Sequence, residues 1–407
     1  MKKPTFINFK ILGYKLFISM MFLFYFDCSY ARSTINTTLQ QFIDNYRINN
    51  HLPAAVLSVN FPNNKTITVV SGTVQNESFI NPNPKLVTPD NLFQIGSITK
   101  SFTAVIILQL ESEGRLSINN TLADIAQQYG QFLPKNEYDA WKNISIKQLL
   151  NMTSGIFDVT EDTDFINILA KTPKRNWMPQ EIIAYAYKHK PYFSPGLGWH
   201  YSNTNYNILE LLIQTITKHS FEDEINQRIL KKYSLNHTYY LPYQYPTNII
   251  NRMAHGYAYI DGGFSPPILS GSDMTYANMS AAGASGALVS NSKDVTRWVR
   301  LLFTGKILPT FQYNELLSVV CQGTDNTCRP GEPLSQNSHS EGYSLGLVRL
   351  YDPQWGIIWA YVGGTPGYYS AFMWLQEKNI ALAMTVSATT MESKKILRSL
   401  AQAAKLI

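Results

Sequence analysis

Cysteine, charged side chains and paired metal ligands are all scarce in this sequence of 407 residues. Only three cysteines occur, and only 15% of the residues are charged. The seven histidines show no paired ligand spacing, so neither a metal site nor a cofactor is expected. Basic residues form no patch of the kind that binds nucleic acid. With 45% hydrophobic residues, the chain is instead expected to fold around a sizeable core.

The sequence also lacks an apolar run long enough to span a bilayer. An uncharged stretch near the N-terminus covers only residues 16–26, and it follows lysines at positions 2, 3, 10 and 15. Ala31 ends a short segment that suits a signal peptidase. We therefore predict a signal peptide over residues 1–31, with a retained N-terminal anchor as the alternative. The mature protein would be periplasmic or secreted, without a stable membrane span.

Cleavage near Ala31 would leave Cys321 and Cys328 as the only cysteines. These two residues are close in sequence, and the compartment outside the cytoplasm is oxidising. They are therefore expected to close a small disulfide loop.

Hydrophobic periodicity changes twice along the chain, which predicts two interleaved regions. Strand-like and helical segments share residues 32–114 and 285–407, whereas residues 115–284 look mainly helical. We therefore predict an α/β (α+β) fold in which helices flank an antiparallel sheet and a mainly helical region is inserted. Strands are predicted at 54–59, 65–71, 343–350, 356–361, 369–375 and 380–387. Helices are predicted around 39–46, 98–113, 116–125, 145–150, 179–187, 205–216, 293–303 and 391–404.

The predicted helix at 98–113 follows Ser97 and carries Lys100 in its first turn. Unpaired backbone N–H groups and the positive end of the helix dipole favour developing negative charge beside the Ser97 hydroxyl. Residues three apart share a helix face, and a partly desolvated lysine can act as the base that activates a serine. A capping serine followed by a surface lysine has the same spacing. The pattern recurs at Ser290 and Lys293, where capping explains it.

A second segment could complete a site of this kind. Tyr201 and Asn203 lie in a turn between predicted helices, where a phenol can relay a proton and an amide can both donate and accept. Tyr276 and Asn278 have the same spacing but precede a stretch of small residues, so we favour Tyr201. His200 resembles a catalytic base, yet no acid at a telling position orients it.

The third segment is 360–369, where small residues follow a predicted strand. Gly363 and Gly364 would let the backbone approach a substrate and expose an N–H to a carbonyl oxygen that becomes negative during attack. A plain hairpin turn would explain the same residues. Arg349, on an earlier strand, could bind a substrate carboxylate or be an ordinary surface arginine.

Together the three segments resemble the serine β-lactamases and penicillin-binding enzymes. That family shares Ser-x-x-Lys, then Tyr-x-Asn or Ser-x-Asn, then Lys-Thr-Gly or His-Thr-Gly. The likeness runs from about residue 40 to 390 and looks closest to the D-alanyl-D-alanine carboxypeptidase and class C β-lactamase branch. It implies a β-lactamase/transpeptidase-like fold, with Ser97 as the acylated nucleophile and Lys100 as its base or electrostatic partner. Tyr201 would hand a proton to the leaving atom, and Asn203 would bind the acyl side of the substrate.

The third motif departs from the family, because Tyr361-Val362-Gly363 stands in place of Lys-Thr-Gly or His-Thr-Gly. A phenol and an isopropyl group cannot supply the charge that holds a substrate carboxylate. The departure therefore shifts weight toward uncharged esters or amides, although Thr365 could restore a hydroxyl. The resemblance still implies an oxyanion hole made by the N–H groups of Ser97 and Gly364. The substrate-binding residues that it implies, besides Asn203, are Tyr361, Gly363, Gly364 and Thr365.

These motifs predict an exported serine acyl hydrolase that forms an acyl-enzyme on Ser97. By resemblance its default substrates are peptidoglycan peptides ending in D-alanine or related small molecules such as β-lactams. An esterase on the same scaffold is the first alternative. A penicillin-binding-like sensor that binds ligands without turnover is the second.

Overall fold

The computed structural model describes residues 34–75, 83–259, 270–323, 328–390 and 395–407. The predicted signal peptide at 1–31 lies outside these ranges. In chain order the strands are β1 (Ala54–Asn60), β2 (Thr66–Gly72), β3 (Phe93–Gln94), β4 (Tyr239–Tyr240), β5 (Tyr257–Ala258), β6 (Ser272–Asp273), β7 (Leu288–Ser290), β8 (Val319–Cys321), β9 (Pro333–Leu334), β10 (Gly342–Tyr343), β11 (Val348–Asp352), β12 (Gly356–Thr365), β13 (Tyr368–Leu375), β14 (Ile380–Val386) and β15 (Ala388–Thr389). The helices are α1 (34–49), α2 (Thr99–Ser112), α3 (Leu122–Tyr129), α4 (Lys135–Trp141), α5 (Ile146–Leu150), α6 (Thr163–Lys171), α7 (Pro179–Tyr187), α8 (Asn203–Thr217), α9 (Phe221–Ile225), α10 (Thr247–Ile250), α11 (Ser292–Phe303), α12 (Thr310–Leu316) and α13 (Ile396–Ala404).

Nine strands form the main sheet, in the order β2-β1-β14-β13-β12-β11-β10-β8-β9, and each neighbouring pair is antiparallel. One face packs against α1 and α13 through a core that includes Leu39, Leu57 and Leu400. The other face packs against α11, whose Trp298 stacks on Phe102 of α2 with 3.8 Å between ring centroids. Helices thus cover both faces, which buries β1 along its whole length. The predicted antiparallel sheet flanked by helices is confirmed.

Helix α2 lies at the centre of the molecule. Its residues from Thr99 to Leu110 are all buried, since α8, α9 and α12 pack around it while α11 separates it from the sheet. A helix without a polar face is stable only when it is enclosed in this way. The start of α2 is therefore held rigidly between the sheet and the helical layer.

Between Gly114 and Ala284 the described residues form helices α3–α10, with only the two-residue strands β4, β5 and β6. Strand β4 pairs with β7, and β7 pairs with β3, in a small sheet that leads into the Ser97 turn. Strands β5, β6 and β15 form another small sheet. The domain boundaries at 114 and 285 stay a prediction.

Two predicted elements are wrong in detail. The segment predicted as one strand at 343–350 is two strands, β10 and β11, which pair with Tyr343 opposite Val348. The chain reverses between them, where Ser344 N–H donates to Leu347 O at 2.8 Å, so continuous hydrophobicity concealed a hairpin. The helix predicted at 116–125 begins instead at Leu122, because a capping box of Thr121 and Asp124 fixes its start. Residues 391–394 of the predicted last helix lie outside the described residues.

Cys321, at the end of β8, forms a disulfide with Cys328. None of the helices in the described ranges combines the length and the apolar character needed to cross a bilayer.

Candidate active site

The Ser97 turn is held between helix α2 and strand β12. Ser97 occupies a single 3-10 turn, Gly96–Ile98, that runs directly into α2. Gly96 has a φ of +51°, and a Cβ there would lie 2.7 Å from Gly364 N. A Cβ at Gly363 would lie 1.9 Å from Ile95 O and 2.8 Å from Ser97 N. Because glycines allow this close approach, the N–H groups of Ser97 and Gly364 come close together at the N-terminus of α2.

The amine of Lys100 is completely buried one turn into α2. Its Nζ donates to Ser97 Oγ at 3.0 Å, to Asn203 Oδ1 at 2.7 Å and to the Ser285 carbonyl at 2.8 Å. Burial lowers the pKa of Lys100 from 10.5 to about 7, while the charge of Asp158 acts in the opposite direction. At neutral pH a substantial share of the amine is therefore unprotonated and able to accept the Ser97 proton.

The phenol of Tyr201 lies on the other side of the Ser97 hydroxyl. Tyr201 Oη is 2.7 Å from Ser97 Oγ, and the Lys100 amine lies 4.9 Å from the centre of the Tyr201 ring. Burial around the hydroxyl raises the pKa of Tyr201. The phenol consequently keeps its proton at neutral pH and can donate it.

Asn203 joins Lys100 to the carboxylate of Asp158, a residue that the sequence did not predict for this site. The first residue of α8, Asn203 presents Oδ1 to Lys100, while its Nδ2 lies 3.3 and 3.2 Å from the two carboxylate oxygens of Asp158. Both polar ends of the Asn203 side chain are thus engaged within the protein. Asp158 lies in none of the three segments that carry the family resemblance, so nothing in the sequence pointed to it.

Backbone hydrogen bonds hold the Tyr201 loop against the turn that precedes Asp158. The N–H groups of Tyr192, Gly196 and His200 donate to the carbonyls of Gly155, Thr153 and Met152 at 2.9, 2.8 and 3.1 Å, respectively. Two segments that are about 45 residues apart are therefore fixed side by side. This contact brings Tyr201 and Asn203 to the start of α2.

The third motif, Tyr361-Val362-Gly363, lies close to Ser97. Tyr361 is buried, and its hydroxyl lies 2.5 Å from that of Tyr343. Val362 faces away from this cluster and packs against the core on the α1 and α13 side of the sheet. Thr365 is buried, and its hydroxyl has no hydrogen-bond partner among the described residues.

A cavity of about 420 Å³ opens beside Ser97. Gly364 and Thr365 line one side, and α6 contributes apolar side chains that include Phe165, Ile166 and Leu169. None of the described residues that line this cavity carries a charge. The cavity therefore suits an apolar, uncharged part of a ligand.

Other candidates from the sequence lie outside this constellation. Arg349 is buried, and its guanidinium donates to the carbonyls of Ser335 and Ser340 at 3.1 and 3.4 Å. It is thus neither a surface residue nor a residue that lines the cavity. His200 Nδ1 lies 2.9 Å from the Tyr201 carbonyl oxygen, and its ring stacks on Tyr192.

The repeated motifs have structural roles. The capping predicted for Ser290 is wrong, because Asn291 caps α11 by accepting from Asp294 N. Ser290 instead pairs with the hydroxyl of Thr238 at 2.8 Å, and Lys293 is exposed. Asn278 lines the cavity, but its amide donates to Asn176 Oδ1 at 2.5 Å. No group of three or more His, Cys, Asp or Glu side chains in the described part of the chain could hold a metal ion.

A family model described as Beta-lactamase matches residues 40–405. The chain belongs to the β-lactamase family. This β-lactamase-family chain is similar to protein flp of Staphylococcus aureus (strain MRSA252), with 30% identity over 257 residues, which are 63% of this chain and 46% of flp. It is similar to penicillin-binding protein 4* of Bacillus subtilis (strain 168), with 24% identity over 287 residues, which are 69% of this chain and 57% of that protein. It thus spans about half the length of the curated relatives it matches.

Among solved structures, the β-lactamase-family chain is similar to a D-stereospecific amidohydrolase from Streptomyces sp.. The TM-score is 0.73 at 25% identity, over 90% of this chain and 98% of that chain. These matches confirm the predicted resemblance to serine β-lactamases and penicillin-binding enzymes, and with it a fold of the serine-hydrolase type. The narrower assignment to the carboxypeptidase and class C branch stays a prediction.

Proposed function

We propose that this chain is a serine acyl hydrolase that forms an acyl-enzyme on Ser97 and prefers uncharged esters or amides with an apolar acyl group. The observation that carries this proposal is the contact of Ser97 Oγ with the buried Lys100 amine at 3.0 Å and with the Tyr201 phenol at 2.7 Å. A serine hydroxyl between a neutral amine and a protonated phenol has both a base and an acid within hydrogen-bond reach.

In the acylation step, Ser97 Oγ bonds to the substrate carbonyl carbon as its proton passes to Lys100 Nζ. The carbonyl oxygen becomes negative and accepts hydrogen bonds from the N–H groups of Ser97 and Gly364. One such hydrogen bond typically stabilises the transition state by about 3 kcal/mol. Tyr201 donates its proton to the leaving oxygen or nitrogen as the carbonyl bond to that atom breaks, and it recovers a proton from the Lys100 ammonium. Water then attacks the acyl carbon of the ester on Ser97 and gives up a proton to Lys100 Nζ. The bond between that carbon and Ser97 Oγ breaks, Ser97 Oγ takes the proton from Lys100, and the acid is released.

The cavity and the third motif support an uncharged substrate. No described residue that lines the cavity is charged, Tyr361 occupies the position of the family's cation, and Val362 packs against the opposite face of the sheet. A substrate carboxylate placed here would lose its hydration without gaining a charged partner. These features favour the esterase or amidase alternative over the carboxypeptidase.

A D-alanyl-D-alanine peptide is the second candidate substrate. It is supported by the resemblance to the penicillin-binding enzymes and by the hydroxyl of Thr365, which has no hydrogen-bond partner among the described residues and could bind a carboxylate oxygen. The disulfide between Cys321 and Cys328 supports work outside the cytoplasm, in the periplasm or after secretion.

The test is a substrate panel measured on the purified protein and on Ser97→Ala. The panel contains a p-nitrophenyl butyrate ester, an N-acetylated D-amino acid amide, an acyl-D-alanyl-D-alanine peptide and benzylpenicillin. We expect the highest kcat/KM on the ester or the amide, and a loss on the order of a millionfold in Ser97→Ala. Turnover of only the two carboxylate-bearing compounds would overturn the substrate class, whereas stable acylation without release would point to a sensor. Unchanged activity in Ser97→Ala would overturn the proposal itself.

A further inference from the structure

Asp158 lies next to the Ser97, Lys100 and Tyr201 constellation but belongs to none of the three family motifs. Its side chain is 4% exposed, at the point where the turn after Gly155 leads into the short helix Val159–Glu161. The carboxylate accepts hydrogen bonds from Thr160 N at 3.2 Å, Thr160 Oγ1 at 2.8 Å and Asn203 N at 3.1 Å. The Asn203 side-chain amide adds further contacts at 3.3 and 3.2 Å.

These contacts fix which way the Asn203 amide points. Two backbone N–H groups donate to Asp158 and favour its ionised form, which can only accept hydrogen bonds. The Asn203 Nδ2 must then face Asp158, and Oδ1 faces Lys100 Nζ at 2.7 Å. The protonated form of Lys100 can only donate, so the same orientation suits both neighbours.

We propose that Asp158 is a positioning residue that orients Asn203 and, through it, holds the Lys100 amine beside Ser97. The role that we assign to Asn203, which also lines the cavity, is therefore to support the lysine through its Oδ1. This inference rests on the proposed acyl-transfer function. It adds Asp158 to the site as a residue that acts on the Lys100 base through Asn203.

The negative charge of Asp158 also affects the pKa of the Lys100 amine, which is the proposed base. The ionisable groups around the carboxylate are Lys100 from α2, Tyr201 from the loop before α8, Tyr192 from the loop after α7, and Glu161 from its own turn. Of these groups only Lys100 carries a positive charge, and the Asp158 carboxylate raises the pKa of its amine against the larger effect of burial. Burial is the largest effect on the carboxyl itself and leaves the pKa of Asp158 raised, although its hydrogen bonds and Lys100 act to lower it.

A purely structural role for Asp158 is the alternative, because its side chain also caps the Val159–Glu161 turn. Asp162, four residues later, offers a matched comparison. It is 5% exposed, caps α6 by accepting from Phe165 N at 2.7 Å, and pairs with His189 at the same distance, but it does not contact Asn203. Loss of the negative charge at a cap alone should therefore have the same kind of effect in Asp158→Asn and Asp162→Asn, because asparagine can still cap a helix.

The first experiment measures kcat and KM against pH for the ester that the wild-type protein hydrolyses. In Asp158→Asn we expect kcat to fall about 10- to 100-fold with little change in KM, as for a misplaced reacting group. We also expect the acidic limb of the kcat/KM profile to move to lower pH, because Lys100 loses its proton more easily without the neighbouring carboxylate. The limb should stay in place in Asp162→Asn. An unmoved limb in Asp158→Asn, or equal shifts in both variants, would overturn the inference.

The second experiment tests Asn203 with two p-nitrophenyl esters of similar length, one with a plain alkyl acyl chain and one whose acyl chain contains an amide. Asn203→Ala should slow both esters by the same factor if Asn203 serves Lys100. A loss confined to the amide-containing ester would show that Asn203 binds the substrate and would overturn this part of the inference.

A third measurement does not depend on turnover. The free energy of unfolding of the wild-type protein should begin to rise with pH where folded Lys100 loses its proton, and this rise should begin at lower pH in Asp158→Asn. Failure of Ser97 to become acylated would overturn the proposed function alone, whereas an unmoved rise would overturn the role of Asp158.

Discussion

The buried amine of Lys100 should make the stability of the folded chain depend on pH above neutrality. Burial lowers the pKa of this amine from 10.5 to about 7. The unfolded chain holds a proton on Lys100 up to the higher value, whereas the folded chain loses it near the lower one. Between the two values the unfolded state binds more protons, so the folded state gains stability as the pH rises, by about 5 kcal/mol over the full interval.

The assay is urea unfolding of the wild-type protein and of Lys100→Met, followed by circular dichroism at about pH 7 to 9.5, below the ordinary tyrosine pKa of about 10. Over that window the free energy of unfolding of the wild type should rise relative to that of Lys100→Met by about 3 kcal/mol. Lys293→Met is the matched control, because Lys293 has the same Ser-x-x-Lys spacing but is exposed. A constant difference between the wild type and Lys100→Met across the window would refute the reasoning.

Three further predictions concern the surroundings of the site. Burial raises the pKa of Glu210 from 4.5 to about 7, so between these values the folded state keeps a proton that the unfolded state has lost. The free energy of unfolding should therefore fall by about 3 kcal/mol as the pH rises through this interval. In urea titrations, Glu210→Gln should abolish that fall. Leu169→Asp puts a charge in the cavity wall and should lower kcat/KM on apolar esters about 10-fold or more, whereas Lys171→Asp on the same helix should not; equal losses would argue against binding in the cavity. Tyr361→Lys supplies a cation and should speed acylation of Ser97 by benzylpenicillin, measured by mass spectrometry, while Tyr361→Phe should not; no difference between these two variants would show that the missing charge does not exclude carboxylates.

The sequence predicted the parts of the site that are set locally. Helix α2 follows from an apolar run that ends near Gly114, and the three-residue spacing puts Lys100 on the same side as Ser97. Outside the site, strands β1 and β2 follow from the two short runs predicted as strands at 54–59 and 65–71. In both cases neighbouring residues alone determine the geometry.

Contacts between distant segments could not be predicted in the same way. Asp158 reaches Asn203 only because backbone hydrogen bonds hold two loops side by side. Tyr343 reaches Tyr361 only because the segment predicted as one strand folds back into β10 and β11. A single sequence carries no signal for such pairs, since neither periodicity nor spacing links their members.

The most direct test of the account is intact-mass spectrometry of the protein after mixing with a p-nitrophenyl ester and quenching with acid. The wild type should gain the mass of one acyl group, peptide mapping should place this group on Ser97, and Ser97→Ala should gain nothing. Hydrolysis accompanied by an adduct on another residue, or by the same adduct in Ser97→Ala, would contradict the claim that Ser97 is the nucleophile.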